Sequence, residues 1–259
     1  MIEAPTILEI RNLSKKFGGL QALSDVSIRV RQGEIASFIG PNGAGKTTLF
    51  NMICRLYQPS SGEIRFEDRN LLDFRPHHLA RLGIGRTFQN LALFRHGTVI
   101  ENLLVGMHAH LQAGVLAGVF RFGRAAAEER RAREEVERIV EFLEIEEIRN
   151  SPVSVLPYGL QKRVEMGRAL ATRPRLLLLD EMVSGMNQEE TEDIARFVLD
   201  LRDELGLTVI MIEHDMNVVM DISDMVHVLN FGVPIASGPP AAVAADPAVV
   251  DAYLGRGGS

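Results

Sequence analysis

Cysteine is almost absent from the 259 residues: Cys54 stands alone. A single cysteine forms no intramolecular disulfide and builds no zinc site of the paired-cysteine kind, so the chain is expected in a reducing compartment. Basic charge is not in excess either. The net charge is −6, which argues against sequence-independent nucleic-acid binding through a basic face. No apolar run approaches the ~18 residues of a membrane-crossing helix. The richest, RLLLLDE (175–181) and TVIMIEHD (208–215), are short and end in charges, and LQAGVLAGVF (111–120) is little longer. The opening MIEAPTILEI lacks the basic and apolar regions of a secretory leader. Any membrane connection is therefore expected to run through a partner. Internal repeats and low-complexity linkers are missing too. What remains is 46% hydrophobic and 24% charged residues, ordinary for a packed protein. At this length a sizeable core can be buried, and disordered or fibrous architectures are excluded.

Hydrophobic patterning orders the chain. ILEIRNL (7–13) and DVSIRVRQGE (25–34) show the alternation of half-buried antiparallel strands. EIASFIG (34–40) is more continuously apolar and ends in glycine. A helix is expected from Lys46 to about Tyr57, then a break at QPSSG (58–62) and a short strand, EIRF (63–66). Residues 84–100 read as irregular, and 101–127 as less regular than the segment after them. There, in RRAREEVERIVEFLEI (130–145), Val136, Ile139, Val140 and Leu143 make one apolar stripe. Its charges, including Arg130 with Glu134 at i,i+4, read as a solvated face. A further helix is expected from Gly159 to Ala171. RLLLL (175–179) and TVIMI (208–212) suit parallel strands buried on both faces, separated by the helix EETEDIARFVLDLRDELG (189–206). The tail DPAVVDAYLG (246–255) reads as a helix with Asp246 as N-cap and Pro247 in its first turn.

The densest chemistry lies in GPNGAGKTT, residues 40–48, which matches G-x-x-x-x-G-K-[ST] between an apolar strand and a helix. Gly40, Gly43 and Gly45 let the backbone turn so that successive N–H groups face phosphate oxygens. The helix after this loop presents its positive end to the same oxygens. Lys46 can reach terminal phosphates, and the Thr47 hydroxyl can ligate Mg²⁺. A chance Gly-rich turn with a lysine is the bland alternative, and the strand before and helix after weigh against it. RLLLLDE delivers Asp180 to the C-terminal edge of a buried strand, where ligands of open α/β sheets gather. An acid there can hold a Mg²⁺-bound water, and Glu181 can act on an attacking water. Two acids at a strand end are common by themselves; paired with residues 40–48 they gain meaning. His214 ends another apolar strand and is expected on the same edge, although a lone histidine is more often structural. His77, His78, His96, His108 and His110 have no such context and read as surface residues. Gln89, in GRTFQN (85–90), carries no signal alone.

In the order GPNGAGKTT, Gln89, LPYGLQKR (156–163), RLLLLDE and His214, nearly the whole chain resembles the nucleotide-binding subunit of an ABC transporter. The resemblance implies an α/β fold: a P-loop NTPase core (1–89 and 166–240) with an antiparallel β subdomain, an inserted α-helical subdomain (90–165) and a C-terminal tail (241–259). It implies that Gly40, Pro41, Asn42, Gly43, Ala44, Gly45, Lys46, Thr47 and Thr48 hold ATP, and that Thr47, Gln89 and Asp180 serve Mg²⁺. Glu181 matches the general base, His214 the switch histidine, and Phe17 the aromatic residue that stacks on adenine, although Phe17 would also suit a core. Two such subunits pair head to tail, so that Tyr158 and Gly159 face the ATP of the other.

The sequence departs from the family at the signature, which commonly reads L-S-G-G-Q. Here Leu156, Pro157, Tyr158, Gly159 and Leu160 stand there, so a serine hydroxyl and one N–H are missing. Met182 stands where proline is usual, and Asn187 where aspartate is frequent. These departures, with KKFGGLQAL (15–23), EMVSGMN (181–187) and AYLG (252–255), resemble the larger ATPase subunit of branched-chain amino acid importers. That resemblance implies two membrane-spanning permease subunits, a second ATPase subunit (the same or related), a periplasmic or extracellular solute-binding protein, no nucleic acid, and a peripheral place on the cytoplasmic face of the membrane. ATPases of urea, amide or lipopolysaccharide systems share much of the pattern. A soluble non-transport ABC ATPase and a P-loop phosphotransferase are further readings; the second has no use for LPYGLQKR. The membrane contact is expected near Gln89 and 90–101, with Phe94 either an apolar anchor or a packing residue of the subdomain.

Overall fold

A computed structural model describes residues 4–87, 92–107 and 122–254, with side chains from 128 to 253 in the last stretch. Gln89, His108, His110 and most of the 105–127 insertion lie outside the described residues. The chain divides into two compact units, Met1–Leu79 with Leu178–Ser259, and Ala80–Leu177.

In chain order the first unit begins with β1 (Thr6–Phe17), β2 (Leu20–Arg31), β3 (Ile35–Ile39), α1 (Lys46–Ile53), β4 (Ser61–Phe66) and β5 (Arg69–Asn70). Next come α2 (Leu79–Leu82), β6 (Ile84–Arg86), α3 (Val99–Met107), α4 (Phe122–Phe142) and α5 (Tyr158–Leu170). β7 (Leu176–Asp180) leads back to the first unit, which continues with α6 (Gln188–Asp203), β8 (Thr208–Ile212) and α7 (Met216–Ile222). It ends with β9 (Met225–Asn230), β10 (Val233–Gly238), α8 (Pro240–Ala244) and α9 (Pro247–Leu254).

Two sheets form the first unit. β2-β1-β4-β5 is antiparallel, with Leu8 opposite Val30 and Ile10 opposite Ile28. The alternation seen in the sequence is the burial pattern: Val26, Ile28 and Val30 are inside, Asp25, Ser27 and Arg29 outside. The second sheet runs β10-β9-β3-β8-β7. β3 is parallel to β8 and to β9, and every residue of β3, β7 and β8 is buried, which is why these strands read as unbroken apolar runs. α6 covers Ile194, Phe197, Val198 and Leu201 on its inner face. It starts in a capping box: the Asn187 side chain accepts from the Glu190 N–H (3.0 Å) and Glu190 accepts from the Asn187 N–H (3.1 Å). α9 begins as its sequence suggests, with Asp246 accepting from the Ala248 N–H.

The second unit packs α3, α4 and α5 together. Ala132, Val136 and Val140 of α4 face inward, followed by Leu143. Thr98 and Glu101 cap α3 reciprocally.

Two expectations need correction. The first helix ends at Ile53, not near Tyr57: Cys54 closes it and Arg55 takes a left-handed φ of 61°, while Leu56 and Tyr57 stay exposed. Residues 99–107, read as irregular up to 100 and less regular beyond, form α3, whose buried stripe holds Asn102 and Gly106 and so hides the apolar periodicity. The helical subdomain expected at 90–165 lies within the compact unit Ala80–Leu177. Its ends are tied, since the N–H groups of Arg175 and Leu176 both donate to the Gly83 carbonyl.

Candidate functional site

The site grows from the C-terminal edge of the parallel strands in the first unit. β3 runs into Gly40, whose φ is 146° and where a Cβ would lie 2.0 Å from the Leu229 carbonyl oxygen. Only glycine fits so close to β9. The loop returns to α1 through Gly45, a left-handed N-cap at φ 101° pressed against Ala22 and Leu23 of β2. The tip of the β9–β10 hairpin braces it: the Gly232 N–H donates to the Ala44 carbonyl (2.9 Å) and the Ser24 N–H to the Gly232 carbonyl (2.8 Å).

Lys46 is buried and donates from Nζ to the carbonyls of Gly40 (2.6 Å) and Pro41 (3.3 Å). Burial holds its pKa below the usual lysine value, and the Glu181 charge works the other way. Thr47 is exposed in the first turn of α1. Asp180, the last residue of β7, is buried. Glu181 follows with φ 52°, a left-handed kink uncommon for a non-glycine residue. Its N–H donates to Ile212 at the end of β8 (2.9 Å), and its Oε1 lies 2.9 Å from His214 Nε2. An ionised carboxylate only accepts, so Nε2 then carries the hydrogen.

Lys46, Thr47, Glu181 and His214 share one cavity of about 400 Å³, with Asp180 buried outside its lining. Asn42, Gly43, Ala44, Gly45, Lys46, Thr47 and Thr48 line it together with Phe17, Glu181 and His214. Phe17 is 41% exposed; it meets Tyr57 edge-on at 5.2 Å, and Lys15 Nζ lies 4.7 Å from its ring centre. It is no core residue. Sequence reading missed Leu20, Gln21, Ala22 and Phe231 in the lining. Phe231 is 71% exposed at the hairpin tip; the one available signal was Phe-Gly directly after an apolar strand.

In the second unit Pro157 is the N-cap of α5, and Tyr158 and Gly159 form its first turn. Gly159 is buried and Tyr158 exposed, with Lys162 Nζ 5.8 Å from its ring centre. Phe94 is 60% exposed, so it does not pack the subdomain core. Its backbone is held by the buried Asn102, which accepts from the Phe94 N–H and donates to the Phe94 carbonyl. No helix among the described residues is long and apolar enough to cross a membrane.

Comparison with known proteins agrees with this geometry. A family model described as ABC transporter matches residues 23–184, and one described as branched-chain amino acid ATP-binding cassette transporter matches 233–259. The high-affinity branched-chain amino acid transport ATP-binding protein BraF of Pseudomonas aeruginosa is 44% identical over 250 residues, covering 96% of this chain and 98% of its own. LivG of Escherichia coli K12, described in the same words, is 41% identical over 253 residues, at 96% and 98% coverage. Among solved structures, an ATP-binding cassette of an ABC transporter in its ADP conformation superposes with a TM-score of 0.85 at 34% identity, covering 97% of this chain and all of that one. A nucleotide-free cassette gives 0.84 at 33% identity, covering 96% and 99%.

Proposed function

The chain belongs to the ABC transporter ATP-binding family, and from that premise we propose that it is the ATP-hydrolysing subunit of a branched-chain amino acid importer. One observation carries the catalytic half of this reading. A Gly-rich phosphate loop, a buried Asp180 and a paired Glu181 and His214 gather at one sheet edge. The full-length similarity to BraF and LivG supports the solute class, as does the match over 233–259.

The chemistry comes from the residues. Backbone N–H groups of 42–48 and the positive end of α1 cradle the phosphates of ATP. Lys46 uses two of its three N–H donors on its own loop, and the third suits a terminal phosphate oxygen. Phe17 offers its face to adenine. The donor set of Thr47 hydroxyl and Asp180 carboxylate is all oxygen, as Mg²⁺ prefers; these two with Gln89 would hold the ion, which neutralises phosphate charge when bound. Glu181 takes the proton of the attacking water, and His214 steadies Glu181 and the terminal phosphate. In a head-to-tail pair, Tyr158, Gly159 and the N–H groups opening α5 meet the ATP of the other subunit, through backbone where the serine hydroxyl is missing. Closure passes to two membrane-spanning permeases through Gln89 and the segment that exposes Phe94. A solute-binding protein acts on their outer side, and this chain is peripheral on the cytoplasmic face.

The test is to tag the chain in its own cells, solubilise the membranes in mild detergent and identify what co-purifies. Two multi-span proteins with a second ATPase are expected. Recovery of the chain alone from the soluble fraction, under conditions that preserve other transporters, sinks the transport reading.

A further inference from the structure

Glu213 is a carboxylate with no place in the chemistry above, yet it is 3% exposed and sits directly before His214. Its Oε1 accepts from the Val183 N–H at 3.2 Å, and the N–H groups of Met182 and His214 also donate to this carboxylate. Met182 and Val183 are the two residues after Glu181, and both are buried. One buried side chain therefore binds the backbone just after Glu181 and at His214 itself, past the ends of β7 and β8. We propose that Glu213 is a positioning residue: its carboxylate holds the left-handed kink at Glu181 and the loop at His214 in the register that lets their side chains meet.

The physical case rests on strain and on burial. A non-glycine residue at φ 52° costs of order 1–3 kcal/mol and persists only where its surroundings over-determine it. The Glu181 N–H bond to Ile212 fixes one side of the kink, and Glu213 fixes the other. The N–H groups of the buried Met182 and Val183 need acceptors. A carboxylate, with two oxygens and room for several donors, meets them both from one position. A shift of ~1 Å in a catalytic group can cost ~10²-fold in rate. Loss of the clamp should therefore act on turnover, not on ATP binding, because the phosphate loop is braced separately by Gly232 and Ser24.

The inference rests on the ATPase reading, and the experiment separates the two. In the full-length chain, ATP affinity, kcat and KM are measured for wild type, Glu213→Ala and Glu213→Gln, with amide hydrogen exchange at Met182 and Val183. Glu213→Ala is expected to lower kcat about ten- to a hundredfold, with ATP affinity and KM within about threefold of wild type. Exchange at the two amides is expected to quicken while β7 stays protected. Glu213→Gln keeps an acceptor oxygen and is expected to fall between; it carries the test if the alanine variant does not fold. A kcat within twofold of wild type in the folded variants, or equal losses in affinity and kcat, overturns the clamp. A wild-type chain that binds ATP without hydrolysing it overturns the ATPase reading instead.

Discussion

Lys46 and Glu181 face the same cavity but are expected to fail differently when changed. Lys46 is held by two loop carbonyls, and in the proposed site its third N–H donor serves a phosphate, so Lys46→Ala should weaken nucleotide binding itself. Undiminished ATP affinity by titration would remove it from the phosphate site. In the proposed role Glu181 acts as a general base on water, and such contributions run ~10²–10⁴-fold. Glu181→Gln should thus slow hydrolysis by about that factor, or ~3–5 kcal/mol in the barrier, while ATP still binds. Near-wild-type turnover would refute the role. Two other buried groups set a pH dependence of stability. Burial pushes the Glu213 carboxyl up to about 7, with the Glu181 charge adding to the rise. Burial lowers the His227 imidazole to about 4. Between pH ~4.5 and ~7 the folded chain holds more protons at Glu213 than the unfolded chain does, so that contribution falls as pH rises. Between ~4 and ~6.5 it holds fewer at His227, so that one rises with pH. The two oppose over ~4.5–6.5. Removing the first with Glu213→Gln should make the variant gain on wild type by about 2–3 kcal/mol across that window, since each tenfold change in proton affinity is worth ~1.36 kcal/mol. Denaturant unfolding at a series of pH values measures the difference, and parallel curves would contradict it.

Among the elements, α6 offers the cleanest test of a local departure from the family pattern. Asn187 stands where the family often has aspartate, and its side chain accepts from the Glu190 N–H to start the helix. Asn187→Ala should cost about 1 kcal/mol of unfolding free energy and Asn187→Asp almost nothing, since both Asn and Asp cap well. An alanine variant as stable as wild type would show that the cap contributes nothing. The same scale shows what sequence can reveal. β3, β7 and β8 were legible because strands buried on both faces leave apolar runs that stop at or just before candidate site residues: Gly40, Asp180 and His214. The phosphate loop was legible because its glycines are required by backbone approach. α3 was not, because its buried stripe includes Asn102 and Gly106, so apolar residue types do not mark it in the sequence. The end of α1 was missed because the stop is a left-handed Arg55, a residue type that does not announce a helix end. Glu213 was passed over because an acid after an apolar strand reads as a surface residue. Its burial and its three backbone donors are tertiary facts that no spacing encodes.

At the scale of the whole molecule, the proposed transport role requires a contact with membrane partners, since no helix among the described residues is long and apolar enough to cross a membrane. Phe94 is the strongest local candidate on geometric grounds. A large apolar side chain 60% exposed to water stands on a turn whose backbone is fixed by the buried Asn102 and by the capping pair of α3. Holding an apolar group rigidly outward loses the ~1.5–3 kcal/mol that burying it would contribute, and a partner groove recovers it. Phe94→Asp places a charge in that groove, whose desolvation opposes binding. In the detergent preparation, the variant is expected to lose the two multi-span proteins while its ATP affinity and unfolding midpoint stay within error of wild type. Asn102→Ala provides the complementary reading: it keeps the aromatic ring but frees the turn. It should weaken co-purification less than Phe94→Asp and lower stability, because it leaves the Phe94 N–H without its acceptor. Full retention of the membrane proteins by Phe94→Asp would place the contact elsewhere on the chain and leave Phe94 as an exposed side chain with no role in coupling.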